Sequence, residues 1–124
     1  MSLTIQELFG ASATYNNGTV SFDAYALKDE SGNQILTPQP SDSLETPEKV
    51  MVALLIYQSI VAKPVRDEND VDITPANRGI VYEDQTFFVG RTFVTREEIN
   101  QIEHTITIKV YTPDNTGLKA YEVV

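Results

Sequence analysis

An α+β fold, an antiparallel sheet carrying one long helix, is what this 124-residue sequence predicts, and three observations predict it. Residues 50–62 (VMVALLIYQSIVA) are apolar at nearly every position and sit between a helix start signal and a proline stop. Short stretches on either side alternate apolar and polar residues with the period of two that half-buried strands require. Asn17-Gly18 between two such stretches is the strongest short-range signal for a hairpin, hence for antiparallel pairing.

The elements follow in order. Thr4 and Glu7 have the spacing of a capping box and Gly10 can end the turn, so residues 3–9 are expected to form one short helical turn that docks Leu8 and Phe9 on the body. Such a turn has no stability of its own. Asn17-Gly18 then joins residues 13–15 to residues 19–27, where Val20, Phe22, Ala24 and Ala26 alternate with Thr19, Ser21, Asp23 and Tyr25. Residues 29–33 (DESGN) read as the next turn and residues 34–37 as a short return.

A polar, proline-bearing loop over residues 38–45 leads to Thr46, Pro47 and Glu48, which supply an N-cap, a proline for the first helical position and an acid for the first turn. Pro64 marks the far end, so the helix is expected over residues 47–63. Gln58 and Ser59 fall on different faces, so this helix has no polar stripe and is expected to be buried on every side. Val, Ile and Tyr also form strands well, and a strand here would make the fold an all-β sandwich, though one of unusual strand length.

Residues 66–77 read as a polar loop. Residues 79–82 and 86–95 flank Glu83, Asp84 and Gln85 as a plausible hairpin, and residues 96–102 suit a short helical excursion. Residues 105–110 alternate again, residues 112–117 (TPDNTG) turn the chain, and residues 118–124 form a last strand. No repeat or interdomain linker is read, so residues 1–124 are expected to form a single domain.

Composition excludes several functions. The formal net charge is −9 and the nine Lys and Arg residues are dispersed, which argues against nucleic acid and against anionic membranes as partners. With no cysteine there is no disulfide, thiolate metal site or cysteine nucleophile. The first ten residues lack a basic region and carry Thr4, Gln6 and Glu7 among their apolar residues, unlike a signal peptide, and residues 50–62 are too short to span a bilayer. A cytoplasmic protein is expected.

Two features invite chemistry. His104 is the only histidine and titrates nearest neutral pH, but no serine stands in a nucleophile elbow to use it. Residues 67–72 (DENDVD) place Glu68, Asp70, Asp72 and Thr74 at the alternate spacing of a calcium loop. Ile73 then occupies the position that needs glycine, and Gly79 stands where the closing glutamate belongs. Asn17-Gly18-Thr19 fits a glycosylation acceptor but is better explained by its turn, and Gly90 suits a bulge. Phe87, Phe88 and Phe93 with Tyr82 are aromatic enough to floor a pocket, with core packing the ordinary alternative. No catalytic, cofactor-binding or metal-binding residue is assigned and no cofactor is expected. The reading that results is a non-enzymatic structural or protein-interaction module that forms a homodimer. The alternative is a small enzyme or ligand-binding domain whose pocket uses His104 or the acidic loop 67–72.

Overall fold

The computed structural model describes residues 3–37, 46–83, 91–114 and 117–124, and its architecture is α+β. Among the described residues antiparallel pairing forms three two-stranded ladders and two isolated bridges, and one long helix accompanies them. Among the described residues no helix is long and apolar enough to cross a membrane.

Helix α1 (Ile5–Phe9) begins with the capping box: Thr4 Oγ1 accepts from the Glu7 N–H, and Glu7 Oε1 accepts from the Thr4 N–H. Gly10 ends it at φ 103°, and a Cβ there would press on Leu27 Cδ2. Strands β1 (Thr14–Asn16) and β2 (Thr19–Ser21) close over Asn17 and Gly18, both at the positive φ of a type I′ turn. Strand β2 stops short of the expected residue 27 because Asp23 accepts from the Tyr25 N–H and caps a 3₁₀ turn over Ala24–Ala26. The turn delivers Leu27 into the core, where Ala13 is also buried, and the Phe9 and Phe22 rings pack on each other with centroids 5.7 Å apart.

Helix α2 (Pro47–Val61) starts where the sequence placed it, with Thr46 Oγ1 accepting from the Lys49 N–H and Pro47 in the first turn. It ends two residues early. Ala62 leaves the helical conformation, and its carbonyl accepts the Tyr82 N–H at 2.9 Å, so a strand takes over the bond that a further turn would make. The helix packs against α1, the 3₁₀ turn and strand β3 (Ile80–Tyr82).

Complete burial of α2 does not occur. Ala53 is its one buried residue, whereas Met51 and Val52 are 62% and 49% exposed and Ile56 is also open to solvent. Three small elements cover part of a helix circumference, and the apolar remainder faces water.

Of the expected hairpin of residues 79–82 with 86–95, residues 86–90 lie outside the described residues and residues 91–95 pair with a later strand, while residues 80–82 take part in a longer-range ladder. After β3 come β4 (Arg91–Arg96), β5 (Ile99–His104) and β6 (Ile108–Val110), and β3 pairs with β6, Tyr82 opposite Ile108 and Ile80 opposite Val110. The Lys109 ammonium meets the Glu83 carboxylate at 2.7 Å on this ladder, which raises the Lys109 pKa. Strands β4 and β5 pair over six consecutive positions, so residues 96–102 hold a hairpin rather than a helical excursion. Its turn is Glu97-Glu98, at φ 51° and 65°, a type I′ geometry without the glycine or asparagine that would announce it. Among the described residues this ribbon packs against no other element.

The last strand expected over residues 118–124 is instead a 3₁₀ turn (Ala120–Glu122), after which the Val124 N–H donates to the Tyr111 carbonyl. Val124 crosses so close to Gly79 that a Cβ on Gly79 would collide with its backbone. The loop over residues 38–45, with Asp84, Gln85, Phe87, Phe88 and Gly90, lies outside the described residues.

Gln58 joins these elements. Its amide nitrogen donates to the Leu8 carbonyl of α1 at 3.1 Å, and its amide oxygen accepts from the Tyr82 hydroxyl at 2.6 Å. Tyr82 is 2% exposed, and burial raises its phenol above the ordinary value of 10.0. Tyr82→Phe removes one hydrogen bond and is expected to cost about 1 kcal/mol in urea denaturation, whereas Gln58→Leu strands two partners and is expected to cost roughly 2–4 kcal/mol. The double variant should cost less than the sum, since the two share a bond. Because the folded phenol holds its proton more tightly than the unfolded one, its contribution is complete below pH of about 10 and falls as pH rises through the raised value. Tyr82→Phe should flatten that alkaline loss.

Candidate functional site

The acidic run 67–72 owes its composition to a turn. Asp67 Oδ1 accepts from the N–H groups of Asn69 and Val71 at 2.8 and 3.0 Å, the Asp67 N–H donates to the Val71 carbonyl, and the Asp70 N–H donates back to the Asp67 carbonyl. Residues 29–33 do the same thing. Asp29 Oδ1 accepts from Ser31 and Asn33, the Asp29 N–H donates to the Asn33 carbonyl, and the Gly32 N–H donates to the Asp29 carbonyl. Gly32 at φ 82° and Asp70 at φ 63° occupy the same left-handed position.

The likeness extends outward. Lys28 bridges Gln34 as Arg66 bridges Asp72, and the Ile35 N–H donates to Leu27 as the Ile73 N–H donates to Val65. Read together, LKDESGNQI and VRDENDVDI are two copies of one nine-residue hairpin, a repeat that the sequence pattern alone did not disclose. Only the leading Asp-Glu and the final Ile are identical, so the chemistry that recurs is a carboxylate accepting two backbone N–H groups. The first copy reverses the chain with no Asp beyond its first position, so the extra carboxylates of the second are not needed for the turn. They do not converge: among the described residues no three His, Cys, Asp or Glu side chains form a group able to hold a metal ion.

Asp72 lies beside a hollow of about 310 Å³ that Thr74, Arg78, Val81 and Tyr111 also line. Its Oδ1 accepts from both the hydroxyl and the N–H of Thr74, at 2.7 and 2.9 Å, and these bonds hold its carboxyl below the ordinary 3.8. The Thr74 hydroxyl also accepts from the Val65 N–H at 2.8 Å. It is anchored to backbone and carboxylate, an arrangement that fixes the loop rather than freeing a nucleophile.

His104 is exposed at the end of β5, opposite Arg91 across the ladder. Among the described residues it forms no ion pair. The structure does not bring it to the acidic run. Tyr82 and Phe93 also separate, the first into the core and the second onto the exposed ribbon, so no pocket floor joins them. A more apolar groove, about 410 Å³, runs along α2 between Val52, Ala53 and Ile56 on one side and Ile35 and Leu36 on the other.

No family model, curated protein or solved structure matches the chain.

Exposed apolar side chains among the described residues include those on the open side of α2, on the β4/β5 ribbon, on the turn at Val71 and Ile73, and at Leu118 and Tyr121 near the last 3₁₀ turn. Sequence reading anticipated the first only as a helix in need of a cover, and missed the second because residues 96–102 were expected to coil into a helix. The β-branched and aromatic residues of 92–95 (TFVT) were the available signal for the first strand.

Two measurements check the account of the acidic turn. Asp70→Gly places at this position the residue that its sister turn already uses, and is expected to stabilise the protein by about 0.5 kcal/mol in denaturant melts. Thr74→Val is expected to return the Asp72 titration, followed by carboxyl NMR, toward its ordinary value. Since the folded carboxyl is the stronger acid, its contribution is present above pH of about 4 and is lost as pH falls through the lowered value.

Proposed function

We propose that the protein is a non-enzymatic structural or interaction module that self-associates, as a homodimer in its simplest form. The observation that carries the reading is exposed apolar surface on the described residues, where Phe93 is 81% exposed, Met51 62%, Ile99 59% and Val52 49%. A specific interface removes about 800 Å² per partner.

Charge sets the conditions. Two chains of −9 repel, and the repulsion between exposed charges is screened beyond about 8 Å at physiological salt. The proposal includes a cytoplasmic setting, for which the cysteine-free composition is the support. The ligand-binding alternative draws no support from residues 67–72, which are held by their turn, whereas His104 stands apart from them and borders a hollow of about 330 Å³ with Arg96, Gln101 and Glu103.

Light scattering over a concentration series is expected to show a dimer mass in the micromolar range, weakening as salt is lowered. Met51→Ser and Val52→Ser, at exposed positions, should change the unfolding free energy by no more than about 0.5 kcal/mol. A monomer mass at every concentration up to the high micromolar range would overturn the reading.

A further inference from the structure

We infer that the tip of the first hairpin is a site of spontaneous covalent modification: Asn17 cyclises onto the Gly18 nitrogen, releases its side-chain amide as ammonia, and is left as aspartate or isoaspartate. The reaction is independent of self-association and needs only water. It requires a side-chain amide, a following backbone nitrogen free to attack, and little bulk beside that nitrogen. Asn17 and Gly18 meet all three conditions. Both are exposed, and among the described residues the Gly18 N–H donates to no backbone acceptor. A Cβ at Gly18 would meet nothing within 4 Å, so the nitrogen is approached from an open side.

Hydroxide removes the Gly18 amide proton, the nitrogen forms a bond to Asn17 Cγ, and the Cγ–Nδ2 bond breaks as Nδ2 takes a proton from water and leaves as ammonia. A cyclic imide remains. Water opens it at Cγ to give aspartate, or at the Asn17 backbone carbonyl carbon to give isoaspartate, in which the main chain runs through Cβ. The closed turn holds the first step back. At the first central position of a type I′ turn ψ is about 30°, which places the Gly18 nitrogen on the far side of the Cα–C bond from the side chain, so this bond must rotate before the ring can close. The ladder that resists the rotation is short. It consists of Thr14 with Ser21, Tyr15 with Val20 and Asn16 with Thr19, all exposed, and an exposed two-stranded hairpin opens at small cost.

No other asparagine of the chain precedes a glycine, and the structure holds several of them in place. The nitrogen after Asn69 donates to the Asp67 carbonyl, and the nitrogen after Asn77 donates to the Pro75 carbonyl. Asn33 is bound to Asp29 through both its N–H and its carbonyl. Asn100 lies within the β5 ladder, its Oδ1 accepting from the Thr95 hydroxyl at 3.1 Å. The two products at residue 17 differ in what they do to the hairpin. Aspartate suits the same turn and adds one negative charge, whereas isoaspartate adds a main-chain atom to a two-residue loop whose length sets the pairing of Asn16 with Thr19.

Incubation of the full chain in water enriched in heavy oxygen, followed by trypsin and mass spectrometry, tests the site. Cleavage after Lys28 and Arg66 separates Asn17 from Asn33 and Asn69. Heavy oxygen is expected to enter at residue 17 before any other asparagine, to appear in an aspartate and an isoaspartate form of the same peptide, and to enter faster in proportion to hydroxide concentration. Asn17→Asp marks the elution of the aspartate form and should gain no label at that residue. The chain unfolded in guanidinium chloride is expected to react faster at residue 17 than the folded chain, and Gly18→Ala, compared in the same denaturant so that folding plays no part, is expected to react more slowly than the parent. Conversion of another asparagine ahead of Asn17, or an aspartate product with no isoaspartate beside it, overturns the proposal. Equal rates in the folded and unfolded chain overturn the restraint assigned to the closed turn.

Discussion

The side-chain amide of Gln58 is the contact on which the arrangement of this small body depends. Hydrophobic attraction brings α2 to its neighbours, but an almost uniformly apolar helix has no preferred rotation about its own axis. Gln58 supplies one, with its nitrogen on the Leu8 carbonyl and its oxygen on the Tyr82 hydroxyl. Leaving either end buried and unpaired costs more than an apolar contact returns, so the amide selects the face that meets α1 and β3. Val52 and Ile56, roughly 120° and 160° around the helix from Gln58, are thereby left outside. The apolar groove along α2 is thus a by-product of one amide's hydrogen bonds.

Two Asp turns with the same hydrogen bonds bracket that helix. The turn at residues 29–33 precedes α2 and the turn at residues 67–71 follows it, and the exposed ion pair of Lys63 with Glu30, at 3.3 Å, ties the end of the helix to the first of them. In both, a carboxylate answers to backbone N–H groups, so part of the chain's acidity is architectural. A density of Asp and Glu therefore says little here about cations or basic partners.

Much of the local structure was legible in the residues. The caps at Thr4 and Thr46 and the turn at Asn17-Gly18 each reside within four residues of sequence, and each is where the sequence placed it, while the helix before Pro64 stops two residues short of the expected Lys63. The pairing of β3 with β6 was not legible, since it joins residues 80–82 to 108–110 and partner choice at that separation is made by packing. The turn at Glu97-Glu98 was hidden because both residues favour helices, and strand pairing on either side overrides that preference. The repeated turn was hidden for a related reason: the left-handed position is held by Gly32 in one copy and Asp70 in the other, so geometry recurs where identity does not. The candidate surface was half legible. An apolar helix announces itself in sequence, whereas residues 91–104 show no regular alternation of apolar and polar positions to mark a ribbon.

The ladder between β3 and β6 has an implication for how this chain tolerates change. Tyr82 stands directly opposite Ile108, and the Glu83 N–H still reaches the Thr107 carbonyl at 2.9 Å. Everything from residue 84 to residue 106 thus departs from and returns to two points one strand spacing apart, and the described part of it leans on no element of the body. Closing a shorter or longer excursion across the same gap alters loop entropy only logarithmically with length. The body can therefore keep its helix, its Gln58 tie and both Asp turns while the excursion is lengthened, trimmed or exchanged, which makes this junction a natural graft point in the fold.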